Sequence, residues 1–178
     1  MKEEKQSAEK EKRLVHASLF SGFGAPDLAA EWIGWQNAFH CEIDDFCNTV
    51  LNYWFKDAKS YTDITKTDFR QWRGKINVLT GGFPCQPFSV AGQRKGTDDN
   101  RYLWPHMLRA IHEIKPDWVV GENVAGILTM VQPGQETEVG SQPTLFSESN
   151  PVYKRQQEYV VETICRDLER EGYSVQPV

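Results

Sequence analysis

The sequence predicts an α/β protein built on a doubly wound, mostly parallel sheet. Two observations carry this expectation. Short apolar runs alternate along the chain with stretches of helical period. The runs end in glycines, prolines and acids, at the carboxyl edge where such sheets bind ligands.

Taken in order, residues 14–20 are mostly apolar and stop at Ser21-Gly22-Phe23-Gly24, a buried strand entering a tight turn. A helix is expected from about 26 to 32, with Pro26 in its first turn, where a missing N–H costs little. A second strand covers 37–43. Asp44 can cap the helix that follows, whose apolar residues Phe46, Val50, Leu51 and Trp54 recur at helical spacing. Residues 61–65 read as a short connection, and 76–80 as a strand broken by Gly81-Gly82-Phe83-Pro84. After a loop to about 100, a helix is expected to about 114. A strand at 117–121 follows, apolar enough for burial on both faces. The segment 132–150 is rich in Gly, Pro, Gln, Ser, Thr and Glu and reads as a mobile surface insertion. Residues 159–171 form an amphipathic helix with Val160, Val161, Ile164 and Leu168 as its stripe, stopped by Gly172. Residues 173–178 open a strand with nothing after it. The expected organisation is a charged tail over 1–13 and one partial domain over 14–178, incomplete at its C-terminus. There is no internal repeat.

At 178 residues the chain is long enough to bury one core. No apolar run approaches the roughly 20 residues of a membrane span, and the charged N-terminus lacks the apolar centre of a secretory signal. A cytoplasmic protein with no membrane partner is the expectation. Cys41, Cys47, Cys85 and Cys165 are too few and too scattered for a disulfide framework, and the histidines complete no zinc spacing, so no metal is expected. The net charge of −5 implies that the chain alone holds nucleic acid weakly, because phosphate binding draws on a basic face.

Two clusters carry chemistry. The first is Phe20-Ser21-Gly22-Phe23-Gly24, whose glycines let a ligand approach the main chain. Glu42 follows Gly22 by 20 positions at the end of the next strand, where a carboxylate can accept ribose hydroxyls, and Asp63 ends the next segment. The glycine pattern lacks the third glycine of the dinucleotide fingerprint. The second cluster is Gly81-Gly82-Phe83-Pro84-Cys85-Gln86-Pro87-Phe88-Ser89, which presents a thiol from a stiff turn. Beside it stands Gly121-Glu122-Asn123-Val124. Glu122 should leave the sheet on the same edge as Cys85, and burial there would suit a proton donor. Taken singly, a lone cysteine is more often a buried apolar group and a strand-end acid more often a turn cap.

Together these motifs resemble the cytosine carbon-5 DNA methyltransferases, from about residue 14 to the end apart from the insertion. Phe20-Ser21-Gly22-Phe23-Gly24 is similar to the family's cofactor loop, Pro84-Cys85-Gln86 to its nucleophile motif, and Glu122-Asn123-Val124 to its Glu-Asn-Val motif. The resemblance implies a Rossmann-like methyltransferase fold and S-adenosyl-L-methionine as cofactor. Glu42 would hold the ribose hydroxyls, Asp63 the adenine amino group, and Phe20 and Ile64 the adenine faces, with Gly22, Gly24 and Leu103 lining the methionine part and Ile43 also counted among the cofactor-binding residues. Cys85 and Glu122 would be catalytic, acting on a cytosine flipped out of double-stranded DNA, with Pro84, Gln86, Ser89, Asn123 and Val124 against the substrate. The loop 89–100 would close over it. A cognate restriction endonuclease is a partner the family leaves open.

Two departures stand out. Ala25 occupies a position where many relatives carry a second glycine. The family's Gln-Arg-Arg motif, target-recognition region and closing segment would follow Val178, so this chain alone is expected to be inactive. The alternatives are a tRNA cytosine methyltransferase of the same fold, a nicotinamide or flavin oxidoreductase, and a silent binding module.

Overall fold

Five parallel strands in the order β3-β2-β1-β4-β5 form the central sheet of the computed structural model. They are β1 (Val15–Leu19), β2 (Gln36–Cys41), β3 (Lys59–Tyr61), β4 (Val78–Gly81) and β5 (Trp118–Gly121). The structure describes residues 13–84, 103–132, 136–141, 151–155 and 158–176. Parallel neighbours need crossover connections, and α1 (Ala25–Trp32), α2 (Asp45–Trp54) and α3 (Trp104–Ile114) lie in three of them. The strand order reverses between β1 and β4, the switch point where open α/β sheets hold ligands.

The chain divides into two compact units: Met1–Phe83 with Arg109–Glu122, and Pro84–Leu108 with Asn123–Val178. The first contains the sheet. Its core is apolar, with Leu19, Phe39, Leu51, Phe69, Ile76, Leu79, Ile111 and Ile114 each at most 2 % exposed. Phe39 stacks on Phe69 at 5.4 Å and meets Tyr61 edge-on at 5.6 Å, geometries that aromatic quadrupoles favour. Arg109 of α3 fastens the chain after β3. It donates to the carbonyl of Thr67 (3.0 Å), to that of Ile64, and to Glu113 (2.8 Å), whose other oxygen accepts the Phe69 amide.

In the second unit, β6 (Val131–Gln132) pairs antiparallel with β9 (Glu158–Tyr159), and β7 (Glu136–Ser141) with β8 (Pro151–Arg155). Helix α4 (Val160–Arg170) starts from a fully buried Val160. Trp104 Nε1 donates to Asp167 at 3.0 Å.

Three elements differ from expectation. The short connection after α2 includes a strand, β3, whose Lys-Ser-Tyr sequence has no apolar run to announce it. The 117–121 strand is not buried on both faces: β5 ends the sheet order, and Trp118 and Val120 are 70 % and 54 % exposed. The 132–150 segment contains β7, which pairs with β8 just beyond it. Helix α2 also turns differently. Phe46 and Trp54 are exposed, whereas Asn48 and Leu51 are buried. Asn48 is admitted because its amide donates to the carbonyls of Glu42 (2.6 Å) and Asp44 (3.1 Å).

The pairing of β1 with β2 is irregular. His16 faces Asn37, but Ala17 faces Phe39, so Ala38 is an extra residue in β2. Such a bulge exchanges the faces of everything beyond it. Asn37 and His40, three apart, consequently both act on Asp27 of α1: Asn37 Nδ2 donates to its carbonyl at 2.9 Å, and His40 to its carboxylate is an electrostatic neighbour.

Candidate functional site at the carboxyl edge of the sheet

The five strands end in register. Tyr61, Cys41, Leu19, Gly81 and Gly121 are successive cross-strand partners. The residues that follow them, Glu42, Phe20, Gly82 and Glu122, therefore leave along one edge, with Asp63 two steps past Tyr61. Strand spacing of about 4.8 Å puts Glu42 and Glu122 three intervals, about 14 Å, apart along that edge.

The turn after β1 is held by unusual backbone. Phe20 has φ 54°, a left-handed conformation uncommon for a bulky residue and typical of sites where surrounding structure imposes it. Gly22 and Gly24 are left-handed as well, at 53° and 82°. Their surroundings differ. A Cβ on Gly24 would lie 2.5 Å from Phe55 Cε2 and 2.7 Å from Leu51 Cδ2, whereas a Cβ on Gly22 would meet nothing within 4 Å among the described residues. Gly24 is small for packing; Gly22 borders open space.

Glu42 closes this turn. Its Oε2 accepts the Gly22 amide at 2.8 Å and its Oε1 the Asp44 amide at 2.9 Å, so one half-buried carboxylate ties the β1 turn to the start of α2. Asp44 caps α2 by accepting the Cys47 amide at 2.8 Å, which holds its carboxyl below the usual range. Asp63 accepts the hydroxyl and amide of Thr65 (2.7 and 2.9 Å) and pairs with Lys66 at 2.9 Å. The Thr65 bonds, then Lys66, draw its carboxyl down to about 2. Ile64 is buried, Phe20 half-buried and Ile43 exposed.

At the other end of the row, the Glu122 amide donates to the Gly81 carbonyl at 3.1 Å. The Glu122 side chain lies over Gly82: a Cβ there would come within 2.9 Å of Oε2. Glu122 itself is exposed, so the burial expected of a proton donor is not found around it. Phe83 is buried and Pro84 exposed. Pro84, Leu103, Asn123 and Val124 belong to the second unit; Leu103 and Asn123 are half-buried there and Val124 exposed. Cys85, Gln86 and Ser89 lie outside the described residues.

Behind the turn is a buried polar cluster that sequence reasoning missed. Asp27, fully buried, receives the Ser18 hydroxyl at 3.0 and 2.9 Å on its two oxygens. Ser18 Oγ is 2.6 Å from Ser21 Oγ, which accepts the Cys41 amide at 3.1 Å. His16 Nδ1 bonds the side-chain oxygen of Asn37 at 2.7 Å, which assigns the proton to Nδ1 and leaves Nε2 to accept from Thr80 at 3.0 Å. Burial raises the Asp27 carboxyl to about 6 against the lowering effect of the Ser18 bond. Burial also lowers the His16 and His40 imidazoles. Asp27 and Asn52 oppose that lowering at His40, yet neither of its ring nitrogens has a partner at hydrogen-bond distance and angle among the described residues. Burial, with Glu42 next, pushes the Cys41 thiol up to about 12, which makes it inert. The legible signal was a serine inside the apolar first strand and an acid one turn before Ala30 on the buried side of α1.

Among the described residues no group of three or more His, Cys, Asp or Glu could hold a metal ion. No described helix is long and apolar enough to cross a membrane.

Comparison with known proteins agrees with this geometry. The family model for C-5 cytosine-specific DNA methylase matches residues 14–139. Type II methyltransferase M.PspPI of Psychrobacter sp. (strain TA137) is 38% identical over 126 residues, 70% of this chain and 30% of that protein. Type II methyltransferase M.Eco47II of Escherichia coli is 38% identical over 112 residues, 62% of this chain and 27% of that protein. DNA N-6-adenine-methyltransferase of Escherichia phage P1 is 34% identical over 131 residues, 66% of this chain and 17% of that protein. The chain thus spans less than a third of the length of these curated relatives. Among solved structures, an E. coli prophage-encoded chain described as a DNA modification methyltransferase aligns with TM-score 0.53 and 31% identity, over 65% of this chain and 33% of that one. The S. pombe Dnmt2 methyltransferase, 19% identical, shares the fold with TM-score 0.53 over 67% of this chain and 37% of that one. With the family model covering most of its length and the sheet arranged as in these methyltransferases, the chain belongs to the C-5 cytosine-specific DNA methylase family.

Proposed function

We propose that this chain supplies the methyl-donor site and the nucleophile of a DNA (cytosine-5-)-methyltransferase that uses S-adenosyl-L-methionine. The observation that carries the reading is the register row, which delivers Phe20, Glu42 and Glu122 to one sheet edge around the β1–β4 switch point. The residues present fit a nucleoside methyl donor. Among the described residues a Cβ on Gly22 would meet nothing within 4 Å, and the carboxylate of Glu42 beside it keeps lone pairs for ribose hydroxyls. Phe20, Ile43 and Ile64 offer apolar surface, and Asp63 an acceptor for an exocyclic amine.

When bound, S-adenosyl-L-methionine supplies an activated methyl group. The chain's own residues prepare its acceptor. Cys85, as thiolate, adds to ring carbon 6 of a cytosine turned out of the duplex. Glu122 steadies the proton at ring nitrogen 3, so the electron pair reaches carbon 5. After methylation a base removes the carbon-5 proton and the sulfur of Cys85 leaves, restoring the ring. Pro84, Gln86, Ser89, Asn123 and Val124 flank the base in this reading. The protein acts on double-stranded DNA in the cytoplasm, alongside a restriction endonuclease where one exists.

The test uses a protein carrying this chain at the full length of its relatives. A duplex containing 5-fluorocytosine should trap a covalent adduct that peptide mapping assigns to Cys85, and Cys85→Ser should abolish methylation while leaving cofactor binding intact. Methyl transfer to adenine N6, or to tRNA but not DNA, would refute the reading.

A further inference from the structure

We propose that Asp27 is a positioning residue for the cofactor turn: its carboxylate anchors a one-way hydrogen-bond chain, from the Cys41 amide through Ser21 and Ser18, that holds the turn ready for ligand. This rests on the reading of that turn as the methyl-donor site.

The direction of the chain follows from proton counting. Ser18 has one hydroxyl hydrogen, and both Asp27 oxygens lie within 3.0 Å of its Oγ, so an ionised Asp27 claims that hydrogen. At 2.6 Å Ser21 must then donate to Ser18, and its lone pair faces the Cys41 amide at 3.1 Å. Cys41 precedes Glu42, and Ser21 precedes Gly22, the two residues joined at 2.8 Å across the site. The anchor thus fixes both sides of the clamp without touching ligand.

Asp27 is a costly way to fill a core position, because a fully buried carboxylate needs partners. Among the described residues no lysine or arginine supplies one. The groups facing it are His16 from β1, 3.9 Å away with its proton given to Asn37, His40 from β2, and Glu31 one turn along α1. Burial keeps both imidazoles toward their neutral forms and Glu31 opposes ionisation. A protonated Asp27 can donate to Ser18 instead. The chain then reverses, and Ser21 turns its hydrogen to the carbonyls of Ser18 or Cys41, each 3.3 Å away.

The test measures S-adenosylhomocysteine affinity of the 178-residue chain by calorimetry from pH 8 to pH 5. It also follows the Cys41 and Gly22 amide resonances over the same range. Wild-type affinity should fall about tenfold on acidification, as reversal of the chain redirects the Ser21 hydrogen from Ser18 Oγ to a backbone carbonyl, and both amides should titrate with the Asp27 carboxyl. In Asp27→Asn, which keeps an acceptor for Ser18, affinity and amides should no longer respond. If that variant does not fold, Ser18→Ala breaks the same chain and should flatten both profiles. A purely structural role would lower the melting temperature of either variant yet leave the pH dependence intact, which overturns the proposal, as do amides that ignore Asp27. Amides that titrate with Asp27 while no pH yields ligand binding would support the anchor and refute the methyl-donor reading.

Discussion

The two glycines of the β1 turn should separate folding from ligand binding. In Gly24→Ala the new Cβ enters space already occupied by Phe55 and Leu51, at 2.5 and 2.7 Å, on a backbone with φ 82°. Left-handed backbone costs a non-glycine residue about 1–2 kcal/mol, and overpacking a tight contact about 1–3 kcal/mol. The sum, about 2–5 kcal/mol, is a large part of the roughly 5–15 kcal/mol that holds a domain together. Gly22→Ala meets only the backbone term, about 1–2 kcal/mol, because among the described residues nothing lies within 4 Å of its Cβ. The two variants should therefore differ by at least about 1 kcal/mol in urea denaturation followed by circular dichroism. Binding should rank them the other way. Gly22→Ala projects a methyl group into the space assigned to ligand and should weaken S-adenosylhomocysteine at least about tenfold, equivalent to about 1.4 kcal/mol. Equal destabilisation by both variants, or a Gly24→Ala chain as stable as wild type, would refute the packing argument; unchanged affinity in Gly22→Ala would refute the ligand placement.

Four further outcomes follow from the structure. Gly82→Ala should leave stability within about 0.5 kcal/mol, since the atom it meets at 2.9 Å is the far end of the Glu122 side chain, yet lower methylation in the full-length enzyme by displacing that carboxylate, as a radiolabel assay would record. Arg109→Met removes the donors to Ile64 and Thr67 and strips Glu113 of its partner, so thermal denaturation should show a loss of about 2–4 kcal/mol. Asp27 gives a signed pH effect. Its folded-state carboxyl is raised from 3.8 to about 6, so the folded state binds the proton more tightly and loses stability as pH rises between those values. The penalty, complete above about pH 6, is about 3 kcal/mol. The stability of Asp27→Asn relative to wild type should accordingly improve from pH 4 to pH 7 in paired urea titrations, and a constant difference would count against a buried, desolvated acid. Finally, Cys41 should resist iodoacetamide at pH 8 in the native chain, because burial pushes its thiol up to about 12; mass mapping that finds it alkylated before unfolding would contradict that environment.

Much of the site was legible because its residues obey local rules. The strand-turn-helix around Gly22 follows from glycine backbone freedom, Asp44 from the demand of an exposed helix start for an acceptor, and Glu42 from its place at the end of an apolar run. What sequence hid was decided by partners far along the chain. Lys59–Tyr61 is a strand because the end of β2 pairs with it, not because three such residues prefer extension. Trp118 and Val120 read as core, yet β5 ends the sheet, and only the strand order reveals that. Phe46 and Trp54 likewise promised an apolar stripe, but the buried side of α2 runs through Asn48, which two carbonyls satisfy. The Asp27 cluster was invisible for a similar reason: a buried acid is tolerated only through hydroxyls that arrive from another element.

The additional residue at Ala38 sets the phase of everything downstream in β2. Were Ala38 instead paired with Ala17 in unbroken register, His40 rather than Cys41 would stand beside Leu19, and the clamp carboxylate would arrive about 3.3 Å out of step and on the opposite side of the sheet. The half-step thus works like an offset gear tooth. It allows Asn37 and His40 to share one helix-facing side while still bringing residue 42 round to the turn, a reconciliation that no change of side chain could provide.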